Sequence, residues 1–409
     1  MNNYQTNESN VDYGLTTGSL ATATSLASLK KIINPEMDIC SVKITTPFDE
    51  FDVDIENSEL LAKNKAKSIA IKYPYNDPDV TVNLEITSSV ELLDLANFSN
   101  ENFDSNENII IEGGIGIGTV TKPGLQISKG NSAINPVPLK MIKENLKPLV
   151  PKDKIAKIII SAPEGEKIAK KTMNPKLGIV GGISILGTTG IARAMSNKAY
   201  KDSLLCQLDI ASAMISKGIY SKNSLIFVPG NIGEKIALNS LNINNSNENF
   251  EKNNKESIKE HINKYGEYKE IYDKGIKKDQ IIQMGNFPGF MFKESKKRGI
   301  DNFILFGHIG KLIKIAGGIF NTKHSIADCR CEIMAAHAGL IGAKKDTIRL
   351  IFNSKTTEEM IDILKNEDID VEVLNNISLA IKKRCLENFD IDVKVILVDM
   401  EGNLLNSNI

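Results

Sequence analysis

Hydrophobic and polar positions alternate with a period of two in the first third of the chain. Residues 42–44 and 51–55 follow this alternation and predict strands, and residues 109–111 predict another strand ahead of a glycine-rich turn. Small and apolar residues at 20–33 predict a helix that Ser19 is placed to cap. Residues 1–150 are therefore expected to form a mixed α+β domain.

After residue 151 the pattern changes to apolar runs separated by helix-like stretches such as 196–217. These strand-like runs lie at 155–161, 177–186, 224–228, 280–284 and 302–307. Such alternation favours βαβ units and a largely parallel sheet, so residues 151–409 are expected to form an α/β domain. Residues 239–259 are poor in apolar residues and predict an exposed insertion.

The composition is that of an ordinary globular protein, with 41% hydrophobic and 25% charged residues among 409. The 50 Lys and Arg nearly balance the 51 Asp and Glu, which argues against a general binder of nucleic acids or membrane surfaces. Residues 140–201 nevertheless carry 13 bases and 4 acids. This local positive field could attract an anionic ligand, or it could be a solvated lysine-rich helix face.

Cysteine usage and the first residues indicate the compartment. Five cysteines are an odd number, and residues 1–10 are polar, without the basic and apolar regions of a signal peptide. These features predict a protein of the reducing cytoplasm. The most apolar stretch, 303–320, contains Lys311, Lys314 and four glycines, so no bilayer span and no membrane partner are expected.

The first glycine-rich segment, 112–118, fits the acid-x-Gly-x-Gly-x-Gly signature of Rossmann-type methyltransferases. That motif binds its ligand through a helix that begins directly after the glycines. Here the chain continues with the β-favouring residues 119–121 and is then broken by Pro123. The pattern therefore disfavours an ordinary Rossmann site, while a tight glycine loop that approaches a ligand by other geometry stays open.

A second glycine-rich run, 177–190, lies between a predicted strand and a predicted helix and is the better-placed ligand loop. Its candidate cofactor-binding residues are Gly181, Gly182, Gly187, Thr188 and Thr189. Thr-Thr-Gly occurs both at 188–190 and at 16–18, each time ahead of a helix-like segment. Both copies could present backbone N–H groups and hydroxyls to a carboxylate, or could simply cap a helix.

Carboxylates and histidines supply the candidate catalytic groups. Asp77 and Asp79 could orient a substrate or act as acid and base, although residues 76–79 also have the composition of a turn. His308 follows an apolar run and is expected at a strand end, where catalytic groups often lie, and His324 and Asp328 follow soon after.

The pattern Cys329-Arg330-Cys331 invites a zinc-site interpretation. Residues two apart on a helix point to different sides, so the two thiolates would not readily converge on one ion. No protein-bound metal is therefore expected.

Taken together, these segments resemble the CbiD family, the cobalt-precorrin-5B C1-methyltransferases of cobalamin biosynthesis. The motifs that carry the resemblance follow the family's order: Tyr-Gly-Leu-Thr-Thr-Gly-Ser at 13–19, Asn-Asp-Pro-Asp-Val-Thr at 76–81, Gly-Ile-Gly-Thr-Val-Thr-Lys-Pro-Gly-Leu at 116–125, Ala-Ile-Asn-Pro-Val-Pro at 133–138, the glycine-rich 174–190, Gly-Asn-Ile-Gly at 230–233 and Gly-His-Ile-Gly-Lys-Leu at 307–312. The combination is far more specific than any single motif.

The resemblance implies transfer of a methyl group from S-adenosylmethionine to C1 of cobalt-precorrin-5B, with cobalt belonging to the substrate. The donor is then expected over the glycine run 178–190 and protons are expected to move at His308, with His324 and Asp328. The expected partner is a small corrinoid, and its predicted binding residues are Thr16, Thr17, Ser19, Asp77, Asp79, Lys122 and Asn135.

Two other classes of function stay open beside this one. A nicotinamide-dependent oxidoreductase is disfavoured because neither glycine run shows Gly-x-Gly-x-x-Gly between a strand and a helix. A non-catalytic corrinoid-binding protein would bind the macrocycle without affinity for the methyl donor. The sequence also leaves a homo-oligomer open.

Overall fold

Strand pairing separates the chain into two units built on different kinds of sheet. The computed structural model describes residues 13–97, 108–193, 197–240 and 277–408. The first unit runs to Tyr200 and the second begins at Lys201. The expectation of an exposed insertion at 239–259 lies, from residue 241 on, outside the described residues.

The first unit, over its described residues, is built on a five-stranded sheet with the order β4-β5-β6-β9-β7, antiparallel except for the parallel pair β7 and β9. The strands and helices of this unit are β1 (Gly14–Leu15), α1 (Thr17–Ile33), β2 (Ser41–Thr45), β3 (Glu50–Asp54), β4 (Asn57–Ala62), β5 (Lys65–Ile71), β6 (Glu85–Asp94), β7 (Ile109–Gly113), β8 (Thr119–Val120), α2 (Pro136–Leu146), β9 (Lys154–Ser161), α3 (Gly165–Ala169), β10 (Ile179–Val180) and β11 (Ile191–Ala192). The predicted mixed α+β architecture is confirmed.

Helix α1 lies against β5 and β6 and is buried on nearly every side. Its small side chains allow this close approach, and its hydroxyls find partners there, as when Ser28 donates to the hydroxyl of Ser68 at 2.9 Å. The helix begins at Thr17, earlier than predicted. The cap is Thr16 instead of Ser19, because the Thr16 hydroxyl accepts the N–H of Ser19 at 3.2 Å.

The first unit continues past the boundary expected at residue 150. Strand β9, which follows that boundary, pairs along its whole length with β6 and joins β7 to the sheet. The strand predicted at 155–161 therefore exists, but it belongs to the mixed sheet of the first unit.

Among the described residues, the sheet of the second unit has four parallel strands in the order β13-β12-β14-β15. Its elements are α4 (Asn197–Ser216), β12 (Ile226–Val228), α5 (Gly230–Ser240), β13 (Ile281–Gln283), α6 (Pro288–Lys297), β14 (Asn302–His308), α7 (Ile309–Ala316), α8 (Arg330–Leu340), α9 (Lys345–Asn353), α10 (Thr357–Lys365), α11 (Asp370–Phe389) and β15 (Asp392–Val398). The predicted α/β architecture with a parallel sheet is confirmed for this part of the chain.

Side chains alternate between the two faces of this parallel sheet. On one face, Ile236 of α5 packs with residues of β12 and β14, namely Ile226, Val228, Ile304 and Phe306. On the other face, the rings of Phe227 and Phe303 stack at 3.9 Å, and Phe292 of α6 lies 5.7 Å from Phe303. Phe292 also meets Phe389 at the end of α11, which packs against α7. Helix α5 therefore covers one face, and α6, α7 and α11 cover the other.

Candidate functional site

The two Thr-Thr-Gly segments, far apart in sequence, lie together in the first unit. The Thr16 N–H donates to the carbonyl of Gly190 at 3.1 Å, and the Ser19 hydroxyl donates to the same carbonyl at 2.5 Å. The Thr17 hydroxyl accepts the N–H of Leu186 at 3.0 Å. These three side chains are almost fully buried and hold the glycine loop onto the start of α1. Their direct contact with a substrate stays a prediction.

Two glycines of the predicted donor loop are required by internal packing. A Cβ on Gly182 would overlap the carbonyl oxygen of Gly116, and a Cβ on Gly187 would overlap the Thr16 hydroxyl. The space that a ligand would need at these two positions is therefore filled by protein atoms. Gly181, with a φ of +85°, faces open space, and Thr188 and Thr189 are exposed, so an approach to the loop is open at its outer edge.

Asp79 is the centre of a partly buried polar network. Its carboxylate forms an ion pair with Lys72 and accepts hydrogen bonds from the Tyr75 hydroxyl at 2.9 Å and the Thr81 N–H at 2.8 Å. Burial raises the pKa of Asp79, but hydrogen bonds from Lys72 and Thr81 outweigh it and lower that pKa to about 2. A Cβ on Gly14 would overlap the Tyr75 ring, so this network packs onto the motif that leads into α1.

The other predicted substrate residues lie apart from that network. Asp77 is half-buried, and its carboxylate forms no ion pair within the ranges that the structure describes. The stem of Lys122 lies over Gly178, 2.6 Å from where a Cβ would stand. Asn135 is the N-cap of α2 and donates its N–H to the carbonyl of Ile185 at 2.9 Å, while its side chain makes no capping hydrogen bond. Lys122 and Asn135 thus flank the same glycine-rich loop.

His308 lies at the carboxyl end of β14, as predicted, and caps α7. Its Nδ1 accepts the N–H of Gly310 at 3.1 Å, and its Nε2 lies 2.7 Å from Oε1 of Glu358. Because a backbone N–H can only donate, Nδ1 carries no hydrogen and Nε2–H is the donor to Glu358. The ring is therefore a neutral imidazole with both nitrogens engaged.

Glu358, in the first turn of α10, is a site residue that the sequence reasoning missed. Burial raises the pKa of Glu358, but its own backbone N–H and the hydrogen bond from His308 outweigh burial and hold that pKa below its ordinary value. The carboxylate is thus ionised and fixes the orientation of the imidazole. The one sequence signal near it is the cap Thr356, whose hydroxyl accepts the N–H of Glu359 at 3.2 Å.

His324 and Asp328 form a separate ion-pair cluster. His324 Nε2 lies 2.8 Å from Asp328, and Arg330 binds both carboxylate oxygens of Asp328 at 2.6 and 2.8 Å. Arg330 above all lowers the pKa of Asp328, so this carboxyl is held as an anion. His324 is 79% exposed. The structure thus pairs His324 with Asp328, and His308 with Glu358. A catalytic role for His324 and Asp328 stays a prediction.

Two lysines of α7 lie beside this cluster. Lys314, 3% exposed, donates to the carbonyl of Ala327 at 2.7 Å and lies 3.7 Å from Asp328. Lys311 donates to the side-chain carbonyl of Asn286 at 2.7 Å. Burial lowers the pKa of Lys311, and the neighbouring charges of Lys314 and Arg330 lower it further.

Two other kinds of feature, a metal site and a membrane span, are absent from the described parts of the chain. No three or more His, Cys, Asp or Glu side chains within them are grouped so that they could hold a metal ion. No helix there is long and apolar enough to cross a membrane. Cys331, one of the two cysteines considered for zinc, places its sulfur 3.2 Å from the carbonyl of Ser354.

Two family models match the chain, CbiD over residues 4–194 and the CbiD C-terminal domain over residues 321–408. The cobalt-precorrin-5B C(1)-methyltransferase of Methanobrevibacter smithii is 52% identical over 97% of this chain and 96% of its own length. Proteins with the same name from Methanosphaera stadtmanae and Methanocaldococcus jannaschii are 47% and 40% identical, over 96% and 97% of this chain and 90% and 96% of theirs. A solved structure of the cobalamin biosynthesis protein CbiD from Archaeoglobus fulgidus is 22% identical over 78% of this chain and 84% of that one, with a TM-score of 0.34.

Proposed function

This chain belongs to the CbiD family, and from that premise we propose that it transfers a methyl group from S-adenosylmethionine to C1 of cobalt-precorrin-5B, giving cobalt-precorrin-6A. The observation that carries the proposal is the 52% identity, over 97% of the chain, to a protein named for this reaction. Two further relatives of nearly full length carry the same name.

The reaction makes modest chemical demands on the protein. An electron pair on C1 forms a bond to the methyl carbon, the carbon–sulfur bond breaks, and its electrons stay on sulfur to give S-adenosylhomocysteine. The positive charge of the sulfonium passes to the corrinoid. No side-chain nucleophile takes part, so the chain contributes binding, in-line alignment and exclusion of water.

The donor fits the glycine run of the first unit poorly. At Gly182 and Gly187 the space is filled by Gly116 and Thr16, and only the outer edge at Gly181, Thr188 and Thr189 is open. These three residues could therefore contact the donor only at the exposed surface of the loop. Gly181, Gly182, Gly187, Thr188 and Thr189 stay a prediction for donor binding, and the packing supports a structural role for two of them.

The corrinoid carries acetate and propionate arms, which cations and helix N-termini bind well. The basic region 140–201 could attract these arms, but Lys140, Lys157 and Lys167 each lie within 4 Å of a carboxylate of the protein. Exposed pairs of this kind are weak and exchange readily with a competing anion. Region 140–201 is therefore proposed to attract the anionic substrate through its overall positive charge, without a defined binding contact.

In the proposed reaction His308 holds a proton at Nε2, the nitrogen that donates to ionised Glu358, and accepts a second proton only at Nδ1, where the Gly310 N–H now binds. The carboxylate would stabilise a positive charge on the ring if the imidazole accepted a proton from the corrinoid. His324 and Asp328 stay proposed as groups that orient the substrate, because Asp328 is already bound to Arg330.

The test is an anaerobic incubation of the purified protein with cobalt-precorrin-5B and S-adenosylmethionine, with both products quantified. We expect one S-adenosylhomocysteine for each methylated corrinoid. Binding of the corrinoid without consumption of the donor would instead support a corrinoid-binding protein. In a parallel incubation with a nicotinamide cofactor in place of the donor, consumption of that cofactor would support an oxidoreductase.

A further inference from the structure

The strand order of the second unit defines a crevice at one edge of its sheet. Strands β12 and β14 are neighbours, yet the helix after β12, α5, covers one face and the helix after β14, α7, covers the other. In open parallel sheets, ligands bind outside the carboxyl ends of the strands where neighbouring connections run to opposite faces. This edge is therefore the position in the second unit where the topology itself opens a binding site.

The two loops at this edge are built for close approach. A Cβ on Gly307 would lie 2.6 Å from Pro229, so glycine is what allows the loop after β12 to rest on the end of β14. Gly230, with a φ of +72°, opens α5 and faces open space. Helix α7 begins at Ile309 on the other side, so the backbone N–H groups of two helix starts lie at one edge.

Unpaired buried polar groups lie at the carboxyl end of β13, the strand next to β12, and beside the loop that follows it. Gln207, 6% exposed, accepts the N–H of Gln283 at the end of β13, and within the described part of the chain its own Nε2 has no hydrogen-bond partner. Thr322, 1% exposed, donates its N–H to the carbonyl of Asn286, and its hydroxyl also lacks a partner among those residues. Buried polar groups are rarely left unpaired, so both point to a ligand at this edge.

The charge of Lys311 at the same edge favours an anionic ligand. Lys311 is half-buried in the first turn of α7 and donates to the neutral amide of Asn286. None of the carboxylates that the structure describes lies within 4 Å of its ammonium, whereas Lys314 and Arg330 both have Asp328. A partly buried cation without a counter-ion is costly, and a carboxylate of a ligand would relieve that cost.

We propose that this edge of the second unit, lined by Gln207, Gly230, Asn231, Gln283 and Lys311, binds the methyl donor. The carboxylate of its methionine part pairs with Lys311. The amide side chains of Gln207, Asn231 and Gln283 bind the rest of the donor. Gln283 is held in a fixed orientation, since its Nε2 donates to Asn231 at 2.8 Å and to the buried carboxylate of Glu234 at 2.7 Å. The inference rests on the proposed methyl transfer and replaces the glycine loop 178–190 as the main donor site.

The test is a calorimetric titration of the full-length protein with S-adenosylhomocysteine, which needs no turnover. We expect Lys311→Met to weaken binding about ten-fold or more. Lys345→Met, which removes an exposed lysine on α9, should bind as the wild type does. The double variant Thr188→Val/Thr189→Val tests the competing site at the glycine loop. Loss of binding in the threonine variant with full binding by Lys311→Met would overturn the assignment and return the donor to the glycine loop.

A second measurement on the wild-type protein guards against a misfolded variant. Amine-reactive labelling followed by mass spectrometry should show Lys311 protected by S-adenosylhomocysteine and Lys345 unprotected. The corrinoid also carries carboxylates, and protection of Lys311 by the corrinoid alone would overturn the donor assignment in favour of a substrate arm. Wild-type protein that binds no S-adenosylhomocysteine would contradict the proposed methyl transfer itself, whereas binding without protection of Lys311 contradicts only this location.

Discussion

His308 donates from Nε2 to Glu358 Oε1 across 2.7 Å, and this bond joins the end of a core strand to a helix 50 residues further along the chain. The Gly310 N–H fixes the other ring nitrogen as an acceptor. The imidazole is therefore held neutral, oriented, and next to an ionised carboxylate. A ring held in this way can accept a proton only at Nδ1, after the hydrogen bond from the Gly310 N–H is broken.

His308→Ala is expected to lower kcat by about ten-fold or more, the lower end of what general acid–base catalysis contributes. His337→Ala is the matched control, because His337 hydrogen-bonds to Asn376 and has no role in the proposed reaction. The measurement is the steady-state rate at which each variant and the wild type form the methylated corrinoid. A rate equal to that of the control would end the case for a catalytic His308.

The two glycines at 181 and 182 are expected to respond differently to alanine. Gly182→Ala places a methyl group on the carbonyl oxygen of Gly116 and should reduce the free energy of unfolding by roughly 3 kcal/mol. Gly181→Ala meets only the strain of a positive φ and should cost roughly 1 kcal/mol. Urea denaturation of both variants measures this, and equal losses would contradict the packing account of the loop.

These positions show how far the sequence could predict the site. The sequence predicts Gly182 and Gly187 as cofactor-binding residues, and nothing in its pattern indicates that Gly116 and Thr16 pack against them. Close packing of two backbones and close approach to a ligand both require glycine, so composition alone does not separate them. Which of the two applies depends on tertiary contacts.

The fold itself was largely predictable because each class of sheet has its own periodicity. The strands at 224–228, 280–284 and 302–307 were predicted close to β12, β13 and β14, since buried parallel strands are continuous apolar runs. The unit to which β9 belongs was not predictable, because its pairing with β6 is a long-range choice. Glu358 was missed for the same reason.

Lowering the pH is expected to reduce the folding stability of the first unit, because Asp79 becomes protonated. Its pKa falls from 3.8 to about 2 on folding, so the carboxylate stabilises the fold above pH 4 and loses that contribution as the pH falls toward 2. Near neutral pH, Asp79→Asn should lower the free energy of unfolding by roughly 2 kcal/mol, and the gap to wild type should shrink as the pH falls. Asp77→Asn, in the same turn, should have little effect at either pH.

Substitutions of Asp328 and of His324 are expected to change the free energy of unfolding by very different amounts, although the two side chains are in contact. Asp328→Asn removes the partner of Arg330 and an anion near the buried Lys314, and should cost roughly 2 kcal/mol of unfolding free energy. His324→Ala removes a side chain that is 79% exposed and should change stability by less than about 0.5 kcal/mol. Thermal denaturation of the two variants compares them, and a large loss in His324→Ala would show that the cluster is organised differently.

Methyl transfer to C1 determines where a labelled methyl group from the donor must appear in the product. The protein is incubated without oxygen with cobalt-precorrin-5B and S-adenosylmethionine whose methyl carbon is 13C, and the corrinoid is analysed by NMR. We expect a single enriched methyl group attached to C1. Enrichment at another ring carbon, or a corrinoid that stays unlabelled after an incubation long enough for turnover, would contradict methyl transfer to C1.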